Sequence, residues 1–304
     1  IIYMKKILII GGTGYLGYHV SKALLNKFKI ISLSISNPKK KRYLRKVKYL
    51  KADISKKNSL NKFTKALSNI KYVINFGGHV NHNDKTKVYS SHYQGAKNLI
   101  NFYLKKNINL FIQIGSSSEY GKKKSPQSEN YISQPISHYG KAKLKTSLYA
   151  LGIYKKKKFP IVVLRPYQVY GPNQDNNRLV PFVITQSLKG KLFPCSSGKQ
   201  FRDFLYISDF VDCIKLLIKN EKNYGQIFNV GYGKPIQIKK IINMISKKIK
   251  SGKPIFNQIK MRKDEQNIIY PNIKKIKKTL KWKPKIKFEE GIDKTIRFYR
   301  KHII

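Results

Sequence analysis

The sequence predicts an α/β protein: a doubly wound parallel sheet with a smaller, mainly helical part toward the C-terminus. Three observations predict it. The chain opens on a short apolar run, a glycine turn and a helical stretch. Up to Arg165, apolar runs of strand length alternate with helical stretches, with no hairpin turn between them. Beyond Pro166 the alternation stops, and helices punctuated by Pro235, Pro254, Pro271 and Pro284 follow.

Lys6–Ile10 reads as a buried strand, because Ile7-Leu8-Ile9-Ile10 is unbroken and ends at glycine. A turn with Gly11, Gly14 and Gly17 follows, then a helix from Tyr15 to about Lys27. Gly11 permits a tight turn, Gly14 lets a pyrophosphate approach the backbone, and Gly17 lets helix and strand pack closely. The helix N-terminus faces the phosphates. Thr13, Tyr15 and Leu16 complete this candidate dinucleotide turn.

Lys29–Leu33 is the second strand. Many NAD sites place an Asp or Glu at its end for the ribose 2′-hydroxyl. Here Ser34, Ile35, Ser36 and Asn37 stand instead, followed by Lys39, Lys40, Lys41 and Arg42. No carboxylate is present to repel a 2′-phosphate, so NADP(H) is favoured over NAD(H). Val47–Leu50 is the third strand, with Asp53 and Ile54 after it; Asp53 can meet the adenine or simply start a helix. Tyr72–Phe76 is the fourth. Phe76, Gly77 and Gly78 at its carboxyl end allow a cofactor to lie against backbone. His79, His82 and His92 have no metal-ligand spacing, so no metal is expected.

Thr86–Lys106 is read as one long helix and Asn109–Ile114 as the fifth strand. Gly115-Ser116-Ser117-Ser118 lies at its carboxyl end, where parallel sheets carry chemistry. A helix containing Tyr139 runs to about Lys155, and Pro160–Arg165 is the sixth strand. Leu179–Leu188 is helical, residues 198–204 enter a strand, Ser208 caps a helix to Asn220, and Gln226–Val230 adds a strand to the sheet. Tyr139 and Lys143, four residues apart on a helix, point the same way. A free phenol has a pKa of about 10; a neighbouring ammonium favours the phenolate and fits the group for proton transfer.

The formal charge is +50, from 64 Lys and Arg against 14 Asp and Glu. Only eight of the basic residues are Arg, and the lysines are spread along the whole chain. This composition reads as solvated, snorkelling lysines, not as a built nucleic-acid patch. No specific nucleic-acid partner is expected. No apolar run approaches the roughly 20 residues that span a bilayer, and no targeting pattern is recognised, so a cytoplasmic protein with no membrane partner is expected. Cys195 and Cys213 form no metal or redox spacing.

The chain resembles the extended short-chain dehydrogenase/reductase superfamily, in its nucleotide-sugar epimerase, dehydratase and reductase branch. The resemblance covers nearly the whole chain. It rests on Gly11–Gly17, Ser116 ahead of Glu119-Tyr120-Gly121, Tyr139 with Lys143, Arg165-Pro166, Val169–Pro172, Arg202-Asp203-Phe204, and Leu280–Pro284 before Glu289-Glu290-Gly291. It implies a Rossmann-like domain of residues 1–170 plus 202–231, and a substrate-binding domain of 171–201 plus 232–304. It also implies that Tyr139 exchanges a proton with a sugar oxygen, that Lys143 holds the ribose, and that Ser116 hydrogen-bonds the same sugar oxygen. By the same resemblance Arg202 meets the substrate pyrophosphate, Arg262 is either a second phosphate clamp or a plain surface charge, and Ser117, Gln168 and Arg178 touch the nucleotide sugar. A homodimer is usual in this superfamily.

Three departures narrow the expectation. Ser117 and Ser118 stand where 4,6-dehydratases carry Asp-Glu, and Glu119 is out of register. His92 stands where the family often has Asn. Gly77-Gly78 replaces a common small-residue pair. The expected activity is therefore an NAD(P)-dependent oxidoreductase of a nucleotide-linked sugar, foremost a 4-keto-6-deoxyhexose reductase. A nucleotide-sugar 4-epimerase with tightly bound NAD is the alternative, and a non-catalytic dinucleotide-sensing protein a third reading.

Overall fold

A computed structural model describes residues 4–303 apart from 80, 82 and 262–264. In chain order its elements are β1 (Lys6–Ile10), α1 (Tyr15–Leu24), β2 (Lys29–Ser34), β3 (Lys48–Lys51), β4 (Ile70–Asn75), α2 (Lys85–Tyr89), α3 (Gly95–Tyr103), β5 (Leu110–Ile114), α4 (His138–Lys157) and β6 (Ile161–Pro166). They continue with β7 (Gln168–Tyr170), α5 (Leu179–Leu188), β8 (Leu192–Pro194), β9 (Phe201–Tyr206), α6 (Ile207–Lys219), β10 (Ile227–Val230), β11 (Pro235–Gln237), α7 (Ile238–Ile249), β12 (Lys253–Ile255), β13 (Ile268–Ile269), α8 (Lys274–Leu280) and α9 (Phe288–Ile303). The chain forms two compact units. The first comprises Ile1–Lys123, Glu129–Pro166 and Val211–Asn229, and the second Lys124–Ser128, Tyr167–Phe210 and Val230–Ile304.

The first unit is organised by a seven-stranded sheet of order β10-β6-β5-β4-β1-β2-β3. The β1–β2, β1–β4, β2–β3, β4–β5 and β5–β6 pairs are all parallel. Strand order reverses between β1 and β4, and ligands of doubly wound sheets bind outside the carboxyl ends at such a switch point. Parallel strands covered on both faces need continuous apolar runs, and β1 and β5 are buried almost along their length. Leu8, Ile10, Val73, Phe111, Ile161 and Val163 pack with Leu99, Tyr103 and Ala150 of the covering helices.

The single helix expected over 86–106 is interrupted. A π-helical turn at Ser90–Gln94 joins α2 to α3. One extra residue per turn leaves the apolar periodicity nearly unchanged, and such bulges often sit at functional sites. The helix assigned to Ser208 begins one residue earlier, at Ile207, so Ser208 lies within its first turn and does not cap it.

In the second unit β9 is the hub. It pairs in parallel with β7 and β13 and antiparallel with β11. Residues 202–210, expected with the nucleotide-binding part, therefore fall here. Alternation along β9 separates two charges. Asp203 is buried and accepts the N–H groups of Tyr232, Gly233 and Lys234 at 2.7, 2.6 and 3.2 Å. Burial nevertheless pushes its carboxyl up to about 7, against the pull of those donors. The C-terminal part carries short strands as well as the expected helices. It is anchored by Trp282, which is buried and donates through Nε1 to the Asp209 carbonyl at 3.1 Å.

No helix among the described residues is long and apolar enough to cross a membrane. Trp282→Ala removes a buried indole and orphans its acceptor, at a cost of about 3–5 kcal/mol. Denaturant unfolding followed by circular dichroism should show a midpoint lowered accordingly; an unchanged midpoint would refute this anchoring role.

Candidate active site

The glycine turn meets the fourth strand at the switch point. Gly11 has φ +71°, and a Cβ there would lie 3.1 Å from the Phe76 carbonyl carbon and oxygen. Gly17 is tighter: a Cβ would lie 2.4 Å from the Gly11 oxygen and 2.6 Å from the Gly12 Cα. The turn and the start of α1 are thus in backbone contact, as a phosphate cradle needs. Gly14 is the N-terminal cap residue of α1, and Tyr15 and Leu16 are its first two helical residues. Thr13 N–H reaches the Ser34 hydroxyl at 3.5 Å, which ties the turn to the end of β2.

At that end no carboxylate appears over Ser34–Asn37. Arg42 instead folds back on a short 3-10 turn, buried, with its guanidinium 5.9 Å from the Tyr15 ring centre. The Asp53 side chain accepts from the Ser55 amide at 2.9 Å and the Ser55 hydroxyl at 2.7 Å, so it closes a local turn. Ile54 is buried, and its side chain lies against Gly77 and Gly95. Gly77 leaves room for Ile10, Ile54 and the Asn75 amide oxygen, which accepts the Gly77 N–H at 2.9 Å.

The candidate reacting groups stand at the carboxyl end of β5. Ser137 caps α4 by accepting the Gly140 N–H at 3.0 Å. Gly140 lets α4 pack on the 117–120 turn: a Cβ there would sit 2.5 Å from the Ser118 oxygen. Lys143 is buried, its ammonium donates to the Ile114 carbonyl at 2.8 Å, and it lies 5.8 Å from the Tyr139 ring centre. Burial pulls the Lys143 ammonium down to about 8, opposed by the Glu119 charge. Tyr139 is half-buried. Ser116 starts the 117–120 turn, and its hydroxyl oxygen accepts the Ser118 N–H at 3.1 Å. Ser117 follows it on the same turn, half-buried.

His92, on the π turn, is buried with its ring 5.0 Å from that of Tyr139, edge to face. A Cβ on Gly78 would lie 1.9 Å from the His92 ring. The larger imidazole and the glycine are therefore one adjustment: His92 fits because Gly78 has no side chain. Gly11, Phe76, Gly77, Gly78, His92, Tyr139, Lys143 and Ile114 so form an unbroken run of contacts. A backbone-lined cradle leading to a phenol and an ammonium fits a dinucleotide whose nicotinamide end meets Tyr139.

The second unit holds its own cavity, of about 320 Å³, lined by Gln168, Arg178, Phe182, Cys195, Gln200 and Arg202 among others. Three residues assigned to nucleotide-sugar binding thus converge on one space. The Arg202 guanidinium forms an ion pair with Glu265 and donates to the Phe201 carbonyl at 2.6 Å. Arg262 and His82 lie outside the described residues. Among those described, no three His, Cys, Asp or Glu side chains gather as a metal site. Two features escaped the sequence reading: the seat of Lys143 on the Ile114 carbonyl, and the binding of Glu119 by Arg165, 46 residues away.

The fold and the site define an NAD-dependent enzyme of the short-chain dehydrogenase/reductase type. The model of the "NAD dependent epimerase/dehydratase family" matches residues 7–231, and the chain belongs to that family. A dTDP-D-glucose 4,6-dehydratase of Mus musculus is 26% identical over 99% of this chain and 90% of its own length. An uncharacterized UDP-glucose epimerase of Bacillus subtilis is 28% identical over 96% of this chain and 97% of its own. The crystal structure of a Thermotoga maritima UDP-glucose 4-epimerase with UDP-glucose superposes with a TM-score of 0.92 at 25% identity, covering 98% of this chain and all of that one.

Gly17→Ala forces a methyl into backbone, with strain of about 1–3 kcal/mol at the cradle. Dinucleotide affinity, read by fluorescence titration, should fall about tenfold or more; equal affinity would mean the turn does not carry the phosphates.

Proposed function

We propose that the protein reduces a nucleotide-linked 4-keto-6-deoxyhexose with a nicotinamide dinucleotide, preferring NADP(H). The observation that carries the oxidoreductase reading is the buried Lys143 beside Tyr139 at the carboxyl end of β5, with Tyr139 linked through the His92 ring to Gly78. When bound, the cofactor supplies hydride. Tyr139 gives the proton that the reduced sugar oxygen takes up. The Lys143 charge favours the phenolate that remains and holds the ribose. Ser116, whose oxygen already accepts from Ser118, has its own hydrogen to offer the sugar oxygen. Arg202, Arg178 and Gln168, which line one cavity of the second unit, suit a nucleoside diphosphate by their charge and hydrogen-bonding groups.

Two observations favour reduction over dehydration. Ser117 and Ser118 carry no acid at the positions where the dehydratase pair would stand. Glu119, the nearest carboxylate in sequence, is fully buried in an ion pair with Arg165 and is not offered to a substrate. NADP(H) is supported by the acid-free end of β2 and by Arg42 packed against Tyr15 beside the cradle. A homodimer belongs to this reading, since α2 and α4 leave Tyr89 and Leu148 exposed. The second reading, a 4-epimerase, is favoured by the full-length likeness to the Thermotoga enzyme; it uses the same three groups and returns the hydride to the other face.

A mass-spectrometric screen of nucleotide sugars with NADPH and with NADH tests this. Stoichiometric oxidation of NADPH by a nucleotide 4-keto sugar is expected, lost by about 10²–10⁴-fold in Tyr139→Phe with cofactor binding retained. Epimer formation without net cofactor turnover would replace the reductase by the epimerase. Arg42→Met should weaken NADPH binding and leave NADH binding unchanged. Tighter binding of NADH by the unaltered protein would end the NADP(H) preference.

A further inference from the structure

We propose that Asn75 and Gln113, two buried amides side by side on β4 and β5, are positioning residues for Lys143. They fix the Ile114 carbonyl on which its ammonium sits. The inference rests on the reading of Lys143 and Tyr139 as reacting groups.

Asn75 and Gln113 are register partners across the β4–β5 pair, and each is 1% exposed. Strands covered on both faces are ordinarily apolar, and a buried amide is unfavourable unless its groups are satisfied. These two satisfy each other and the backbone. The Gly77 N–H donates to Asn75 Oδ1 at 2.9 Å, Asn75 Nδ2 donates to Gln113 Oε1 at 2.8 Å, and Gln113 Nε2 donates to the Ile114 carbonyl at 3.0 Å. The ends set the direction of the chain. A backbone N–H can only donate and a carbonyl can only accept, so turning either amide round would set like against like.

The chain ends on the oxygen that accepts the Lys143 ammonium at 2.8 Å. A carbonyl oxygen offers two lone pairs. Gln113 occupies one, which leaves Lys143 one seat in place of two. The other end of the chain lies at the cradle: the Gly77 nitrogen is 3.3 Å from where a Gly11 Cβ would stand. The two amides thus connect the meeting of the glycine turn and β4 with the lysine seat on β5. Core stability alone does not call for them. Replacing both partners of a buried hydrogen bond by apolar groups of the same shape is nearly neutral, whereas orphaning one of them is not.

Asn75→Leu with Gln113→Met is therefore the test. It keeps the side-chain shapes and orphans no amide, and Gly77, half-buried, can turn its N–H to water. The midpoint of denaturant unfolding should stay that of the unaltered protein. Crystal structures of the two proteins read the seat without turnover. Lys143 Nζ should move by about 1 Å or take two positions, and kcat should fall about 10- to 100-fold with KM held within about twofold. Gln113→Met alone removes the same donor and should displace Nζ in the same way. An Nζ that keeps its single place on Ile114 in the folded variants, or an unchanged kcat, overturns the proposal. An unaltered protein inactive on every nucleotide sugar would defeat the functional reading, and the crystal comparison would still decide what holds the seat.

Discussion

The structure depends on one buried cation. Lys143 has left water, and its ammonium is pinned to the carbonyl that ends β5. Such a group is costly to bury, and its surroundings are arranged around that cost. The parallel sheet supplies a carbonyl at a strand end, which also accepts the Gln113 side-chain amide at 3.0 Å. The capped start of α4 sets the lysine one turn after Tyr139. The 117–120 turn brings a carboxylate that is itself neutralised by Arg165. A surface Tyr–Lys pair of the same spacing would have none of these constraints.

The same economy explains the packing on the other side of Tyr139. The π turn carries His92 against the phenol ring, and Gly78 gives up its side chain to admit it. Departures from the family pattern that looked separate in the sequence are therefore coupled in space. In the second unit β9 divides its two adjacent charges by alternation, Arg202 lining the cavity while Asp203 ties down the 232–234 turn.

Much of this was legible in the sequence. The long strands of the sheet came from continuous apolar runs, and the cradle from glycines in the one context where each has a steric reason. Gly11, Gly17 and the Tyr139–Lys143 pair fall where local rules put them. What escaped is either too short or too distant. The second unit's strands β7, β8, β11, β12 and β13 have three residues or fewer, below the length at which alternation can be read. The π turn adds one residue to a helical pattern and barely disturbs it. Arg42 could not be told from Lys39, Lys40 and Lys41, because only folding decides which base is buried against Tyr15. Glu119 looked like a displaced dehydratase acid, and only the 165 side chain shows what holds it. Asp53 stood open between two roles, and the contacts made here are those of the local turn.

The central claim is that Tyr139 and Lys143 govern hydride exchange between a nicotinamide and a sugar. The most direct test is rapid mixing of the dinucleotide-loaded protein with nucleotide hexoses and their 4-keto forms, following the absorbance of the reduced nicotinamide. The account predicts a fast change with at least one such sugar, a loss of the band with a keto form or its appearance with a hydroxyl form, and no change with the same sugars in Tyr139→Phe. A protein that binds both the dinucleotide and the nucleotide sugar, yet leaves the absorbance flat in every combination, would contradict it.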